Sequence, residues 1–304
     1  MVKPPALRVG DTIGVVAPAA AVRAEMLEQG IAALRAMGYR VKVSTHALNR
    51  AGIVAGTDEV RARELSRFFA DPSVRAIFAA RGGYGSGRLL PLLDFAELRR
   101  SPKIFLGFSD ETFLLNALVA QASMVAFHGP MVAMDFARGL DGSASAHLKA
   151  LLAGELTDWE LPGARIIRPG RADGELIGGC LSVIAAMMAT PWQPDFAGRI
   201  LFLEDTGEKA YRLDRMLTQL RQSGILRQVA GIAFGAFKPV PADYDEAALI
   251  ADTLSAAGDG LECPVVAGFE VGHGSANFTL PLGLFAHLDG ERGRLVFKEA
   301  AVRV

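Results

Sequence analysis

The run IFLGF, residues 104–108, is apolar at every position, with no alternation. A strand with one wet face alternates, so an unbroken run needs cover on both faces, as in a parallel sheet flanked by helices. The segments around it fit that demand. TIGVVAPA, YRVKVST, VRAIFAA and MVAFHGP read as further strands, and residues 24–37 and 57–70 as amphipathic helices between them. A glycine turn and a short helix near residues 86–92 precede IFLGF, and the helical stretch DETFLLNALVAQ follows it. Strand and helix in regular succession predict an α/β domain built on a parallel sheet. Ligands of such sheets gather beyond the carboxyl ends of the strands, where AARGGYGSG, GFSD and HGPM all fall.

At 304 residues the chain suggests two domains. Residues 136–175 are loop-rich, with Gly139, Gly142, Gly154, Pro162, Gly163, Pro169 and Gly170, and read as a linker. That leaves an N-terminal domain over 1–135 and a smaller mixed α/β domain over 176–304. In the latter, RILFLE and GIAFGAF read as strands, and residues 179–189, 208–223 and 243–257 as helices. The active cleft is expected between the two domains. With 32 basic against 33 acidic side chains, the net charge of −1 gives no drive toward nucleic acid or an anionic membrane. The first 20 residues carry no continuous signal-type apolar core, and no apolar run approaches the roughly 20 residues of a membrane span, so a cytoplasmic protein is expected. Cys180 and Cys263 form no C-x-x-C pair and read as buried free thiols. No metal-ligand spacing is present, and neither a metal nor a cofactor is expected.

Ser109 stands where the strand IFLGF gives way to a helix. It fits a helix cap bonding to a backbone N–H. The sharper alternative is the nucleophile of a tight strand-to-helix turn that projects a hydroxyl over free N–H groups. A nucleophilic serine needs a base, and usually a carboxylate to orient that base. Of the five histidines, His46 and His147 lie in polar stretches and His287 in a late strand. His128 sits at a strand end beside the strand of Ser109 and is a candidate lining residue. His273 lies between Gly272 and Gly274, which lets the backbone bend and the imidazole project. Glu204, an acid at the end of the apolar strand RILFLE, is the carboxylate candidate. Asp205 adjoins it, and strand alternation allows only one of the two to face a given partner. The alternative for Glu204 is a helix-start acid.

The blocks GDTIGVVAPA, ARGGYGSGRLLPLLD, GFSDET, FHGPM, GGCLSVIAAMMATPWQPDFAGRILFLEDTGEKAYRLDRMLTQL and GHGSANFTLPLG, taken in order, resemble the LD-carboxypeptidase family of serine peptidases. That family includes muramoyl tetrapeptide carboxypeptidases and microcin C self-immunity peptidases. The resemblance implies a triad of Ser109, Glu204 and His273, a flavodoxin-like N-terminal domain, and a homodimer. It implies removal of a terminal D-alanine from an L,D bond of murein tetrapeptide in cytoplasmic peptidoglycan recycling, through an acyl-enzyme. Within the same chemistry, the runner-up substrate is an aminoacyl-nucleotide or acyl-sulfamate antibiotic. A nucleotide-binding protein or ligand sensor using RGGYGSGR is the reading outside hydrolases, and its glycine spacing lacks a Lys-Ser or Lys-Thr pair. Two positions depart from the family pattern: Cys180, where Asn is frequent, and Glu111, where a small or branched residue is usual. The backbone N–H groups of Gly83 and Asp110 are candidates for an oxyanion hole. Arg81 is a candidate for the substrate carboxylate or for a structural salt bridge, and Trp192 for packing on substrate or in the core.

Overall fold

A computed structural model describes all 304 residues. The first half holds β1 (Thr12–Val16), α1 (Ala24–Ala36), β2 (Arg40–Val43), α2 (Asp58–Ala70), β3 (Ala76–Ala79), α3 (Phe95–Arg100), β4 (Ile104–Gly107), α4 (Thr112–Ala122), β5 (Ala126–His128) and α5 (Gly142–Ala153). The second half holds β6 (Trp159–Pro162), β7 (Arg165–Arg168), β8 (Arg171–Cys180), α6 (Leu181–Met187), β9 (Ile200–Thr206), α7 (Ala210–Gln222), β10 (Gly231–Lys238), α8 (Glu246–Ala256), β11 (Val265–Gly272), β12 (Leu280–Leu282), β13 (Phe285–Asp289) and β14 (Arg294–Phe297). No helix is long and apolar enough to cross a membrane.

The chain divides into two compact units. The first comprises Met1–Leu156, Phe278–Gly283 and Ala300–Val304. Its sheet runs β12-β5-β4-β3-β1-β2, parallel except where β12 pairs antiparallel with β5. The sequential strands are thus ordered 2-1-3-4-5, the flavodoxin-like arrangement. β3 and β4 are buried at every position, as unbroken apolar runs require. α1 turns Leu27, Ile31 and Leu34 inward. α2 starts at Thr57, whose side chain accepts from Val60 N, with Asp58 and Glu59 in the first turn. The expected helix at 86–92 is 3₁₀ in form and contains Pro91.

The second unit comprises Thr157–Asn277 and Leu284–Glu299. Its sheet runs β6-β14-β13-β8-β9-β10-β11-β7. The four central strands, β8 to β11, are mutually parallel, and the outer strands are antiparallel additions. Here the expected boundaries need correction. Residues 136–175 are not a linker: they carry α5, β6, β7 and the start of β8. Gly154 caps α5 at φ 76, and Gly170, φ 129, turns β7 into β8, so these residues punctuate short elements instead of spacing domains. Nor is 176–304 one body, because Phe278–Gly283 and Ala300–Val304 belong to the first unit.

One glycine of α1 tests how tightly the first unit is packed. A Cβ at Gly30 would overlap the Val132 carbonyl, in the π-helical turn Val132–Phe136. Alanine is favoured over glycine in a helix by about 1 kcal/mol, but overpacking a backbone contact costs roughly 1–3 kcal/mol or more. Gly30→Ala should therefore destabilise, by about 2 kcal/mol net, seen as a lower urea midpoint. A raised midpoint would show that α1 can step away from the turn.

Candidate active site

β4 ends at Gly107, and the next two residues make the turn that decides what Ser109 is. A helix cap has extended backbone and a side-chain oxygen bonded to the first turn. The extended residue is Phe108, φ −155 and ψ −168, and no side chain caps the turn. Ser109 itself has φ 62, the left-handed region that costs a non-glycine residue about 1–2 kcal/mol. The serine is therefore an elbow, half-buried, at the carboxyl edge of the sheet. The glycine turn after β3 packs against it: a Cβ at Gly82 would lie 2.9 Å from Ser109 Cβ and 3.2 Å from its Oγ. The Gly83 N–H donates to no backbone carbonyl, and Asp110 lies in the short 3₁₀ turn Ser109–Glu111 that follows β4.

In the second unit, Glu204 is 0% exposed near the carboxyl end of β9, and His273 directly follows β11. Glu204 Oε2 lies 2.6 Å from His273 Nδ1 and accepts the His273 backbone N–H at 3.1 Å. With Nδ1–H donating to a carboxylate, Nε2 is left as the proton acceptor. β10 lies between β9 and β11, and the dyad closes across it where its register shifts, between Phe234 and Phe237. Gly235 occupies the shift; a Cβ there would lie 2.7 Å from Val271 O and 2.8 Å from the Phe202 ring. Gly272, φ 95, is equally constrained, since a Cβ would run into Glu204 Oε2. Asn277 accepts the Gly272 N–H through Oδ1 at 2.9 Å and so holds the histidine loop.

Asp205 points elsewhere. Its carboxylate accepts from Ser182 N at 2.7 Å and Thr206 N at 2.8 Å, tying the start of α6 to β9. Burial pushes its carboxyl above the usual range against the pull of those donors. Cys180 pairs in register with Glu204, and its Sγ lies 3.3 Å from Ser182 Oγ and 3.5 Å from Asp205 Oδ1. Burial, with Glu204 and Asp205 nearby, pushes the thiol well above its usual range. Cys180 is buried as expected; Cys263 is only partly so.

Three residues expected to meet substrate are placed as follows. Arg81 follows β3, half-buried on the same edge as Ser109, and donates to the Ala21 carbonyl at 3.1 Å. His128 does not line an open site: it is 0% exposed, in register with Gly107 and Leu280, its ring 5.7 Å from that of Phe108. Its place at a strand end suggested an open edge, but β12 pairs with β5 there and covers it. Trp192 is half-buried in the loop that leads into β9. α6 returns along the sheet from the end of β8, so residues 188–199 enter β9 at Ile200, the amino end. Gln193 there shares a pocket with Gln219 and Gln228. Four residues of strand, about 13 Å, separate that end from Glu204.

Sequence reasoning missed Asn277 and Gly235. Asn277 follows GHGSA with nothing local to mark it, whereas a glycine inside an apolar strand was a readable sign of a bulge. Glu111 is also buried, at 0%, with neither carboxyl oxygen bonded. Burial, and then Asp110, push its carboxyl well above the usual range.

Comparison with known proteins adds an independent finding. Residues 13–129 match the model of the LD-carboxypeptidase N-terminal domain, and residues 173–288 that of the C-terminal domain. The murein tetrapeptide carboxypeptidase of Pseudomonas aeruginosa is 36% identical, over 93% of this chain and 94% of its own. The crystal structure of muramoyltetrapeptide carboxypeptidase from Oxalobacter formigenes superposes with a TM-score of 0.84 at 36% identity, covering 94% of this chain and 97% of that one. The microcin C7 self-immunity protein of Escherichia coli is 26% identical over 96% of this chain and 94% of its own.

Two expected outcomes follow from the first unit. Glycine tolerates the left-handed conformation of Ser109 while alanine does not, an advantage of about 1–2 kcal/mol, partly offset by glycine's larger unfolded-state entropy. Ser109→Gly should thus be about 1 kcal/mol more stable than Ser109→Ala by chemical denaturation; a cap would give no such gap. Glu111 keeps its proton in the fold but loses it on unfolding once pH exceeds the ordinary glutamate value of about 4.3. Its raised native pKa makes stability greatest below that value and progressively smaller as pH climbs toward the native one. Glu111→Gln, which cannot ionise, should match wild type near pH 4 and gain on it as pH rises above the ordinary glutamate value; parallel pH profiles would mean that Glu111 is not held neutral.

Proposed function

The chain belongs to the LD-carboxypeptidase family and is a serine-type carboxypeptidase, and from that premise we propose that it removes a terminal D-alanine from the L,D bond of murein tetrapeptide through an acyl-enzyme. The observation that carries the reading is the Glu204 to His273 bond of 2.6 Å, which sets the tautomer a general base needs. The strained elbow at Ser109 supports it as the nucleophile. Ser109 Oγ attacks the scissile carbonyl as His273 Nε2 takes its proton. The oxyanion is stabilised by the N–H groups of Gly83 and Asp110. As the C–N bond breaks, His273 returns the proton to the leaving amine of D-alanine; water, activated by the same base, then releases the shortened peptide and restores Ser109. Glu204 holds the imidazolium without taking its proton. Arg81, the cationic side chain beside the glycine turn, is proposed to receive the terminal carboxylate. Family resemblance supports a cytoplasmic homodimer working in peptidoglycan recycling.

Incubation with a disaccharide tetrapeptide and with its all-L terminal analogue, followed by mass spectrometry, tests reaction and stereochemistry together. Loss of one D-alanine from the first alone is expected. Turnover of an aminoacyl-sulfamoyl nucleoside with none of the tetrapeptide would replace the substrate while keeping the triad. Ser109→Ala should lower kcat on the order of a million-fold, and Glu204→Gln by about three to four powers of ten with little change in KM. Asp205→Asn, whose bonds hold the start of α6, should act mainly on stability. A severe kinetic defect in Asp205→Asn beside a near-normal Glu204→Gln would reverse their assignments.

A further inference from the structure

An oxyanion site made of Gly83 and Asp110 draws its two donors from loops that follow different strands, β3 and β4. Its value depends on those loops keeping one spacing, because donors stabilise the transition state only when they are fixed beforehand. Two hydrogen bonds join the loops reciprocally. Asp110 Oδ2 accepts the Ser86 backbone N–H at 2.7 Å, and Ser86 Oγ donates to the Asp110 carbonyl at 2.5 Å. Both residues are buried, Ser86 at 0% and Asp110 at 5% exposure. The turn is gripped from behind as well: Arg61, 3% exposed on α2, donates to the Gly85 carbonyl at 2.8 Å and to that of Pro18, and pairs with Asp58. Asp58 also holds Arg88 at 2.9 Å. Buried bonds of this kind rigidify only while every member is satisfied.

We propose that Ser86 and the Asp110 side chain are positioning residues, a two-bond clamp that locks the glycine turn to the nucleophile elbow and presets the spacing of the Gly83 and Asp110 N–H groups. The inference rests on the serine-peptidase reading. Burial pushes the Asp110 carboxyl up from its usual range while the Ser86 hydrogen bonds pull it back down.

Steady-state kinetics on tetrapeptide separates this role from a merely structural one. Loss of one oxyanion donor costs about 10²–10³ in kcat, and displacement of a donor somewhat less. Ser86→Ala and Asp110→Ala should each lower kcat about 10- to 100-fold with KM within about threefold, because the donors act in the transition state and not on bound substrate. The double variant should cost little more than the worse single one, since both remove the same lock. Asp110→Asn keeps an acceptor oxygen and should recover most of what Asp110→Ala loses. Ser44→Ala, which deletes a comparable buried bond of 2.6 Å to Glu64, should keep wild-type kcat. Circular dichroism and thermal melts check each variant, and the mild Ser86→Ala carries the test if Asp110→Ala does not fold. Ser86→Ala with kcat within twofold of an active wild type, or with its loss entirely in KM, overturns the clamp alone. A wild type that turns over neither the tetrapeptide nor an aminoacyl-sulfamoyl nucleoside overturns the serine-peptidase reading, and the clamp with it, before any variant is made.

Discussion

A carboxylate with no solvent contact must be paired, and the second unit is arranged around satisfying one. Glu204 is 0% exposed, and stripping such a group of water costs several kcal/mol unless bonds replace the water. The His273 ring and backbone N–H supply two of them to a single oxygen. Reaching them means crossing β10, and the path exists because β10 is irregular at Gly235 and the chain beyond β11 turns at a glycine with no Cβ to meet the carboxylate. Asn277 then fixes that turn from the other side. The geometry of the Glu204–His273 pair is thus inseparable from the requirement that a buried carboxylate be satisfied.

The first unit meets its own cost differently. Nothing charged is paired at Ser109; what is stored there is backbone strain, at the point where a strand buried on both faces runs out. Strain of this size persists only where the surroundings over-determine the conformation. β4 is held on both sides by β3 and β5, α4 is buried along most of its length, and Gly82 lies against the serine. Sheet interior and helix start are rigid, so the residue between them takes the angle they leave.

How much of this could be read beforehand depended on whether the signal was local. IFLGF and the helix after it predicted β4 and α4, because burial on both faces writes itself into consecutive residues. Strand alternation left Glu204 and Asp205 as alternatives, and the family resemblance of the block chose Glu204; His273 stood out by its flanking glycines. Loop-like composition over 136–175 misled, since tight turns between short strands use the same glycines and prolines that linkers do. His128 misled because the strand that buries its end, β12, arrives from more than 140 residues away in sequence, a pairing no local pattern announces. Ser86 looked like one more small residue in a glycine turn; its partner is two dozen residues on.

The two departures from the family pattern are reconciled by the same physics. An elbow that is to stabilise an oxyanion is a poor place for negative charge, yet Ser109 is followed by two acids. Burial answers for Glu111: with no bonded partner for either oxygen, the carboxyl keeps its proton, and the neighbouring Asp110 reinforces that by repulsion. Asp110 offers its oxygens to Ser86 instead. In the second unit, Cys180 stands beside Glu204 and Asp205, whose charges join burial in keeping the thiol protonated. A protonated, buried thiol does not compete with a serine as nucleophile, because the thiolate is the reactive form. Compared with an asparagine at that position, it gives up an amide's donors and acceptor for one weak donor. The substitution therefore leaves the Glu204–His273 bond in place and alters the polarity of the buried surroundings of Glu204.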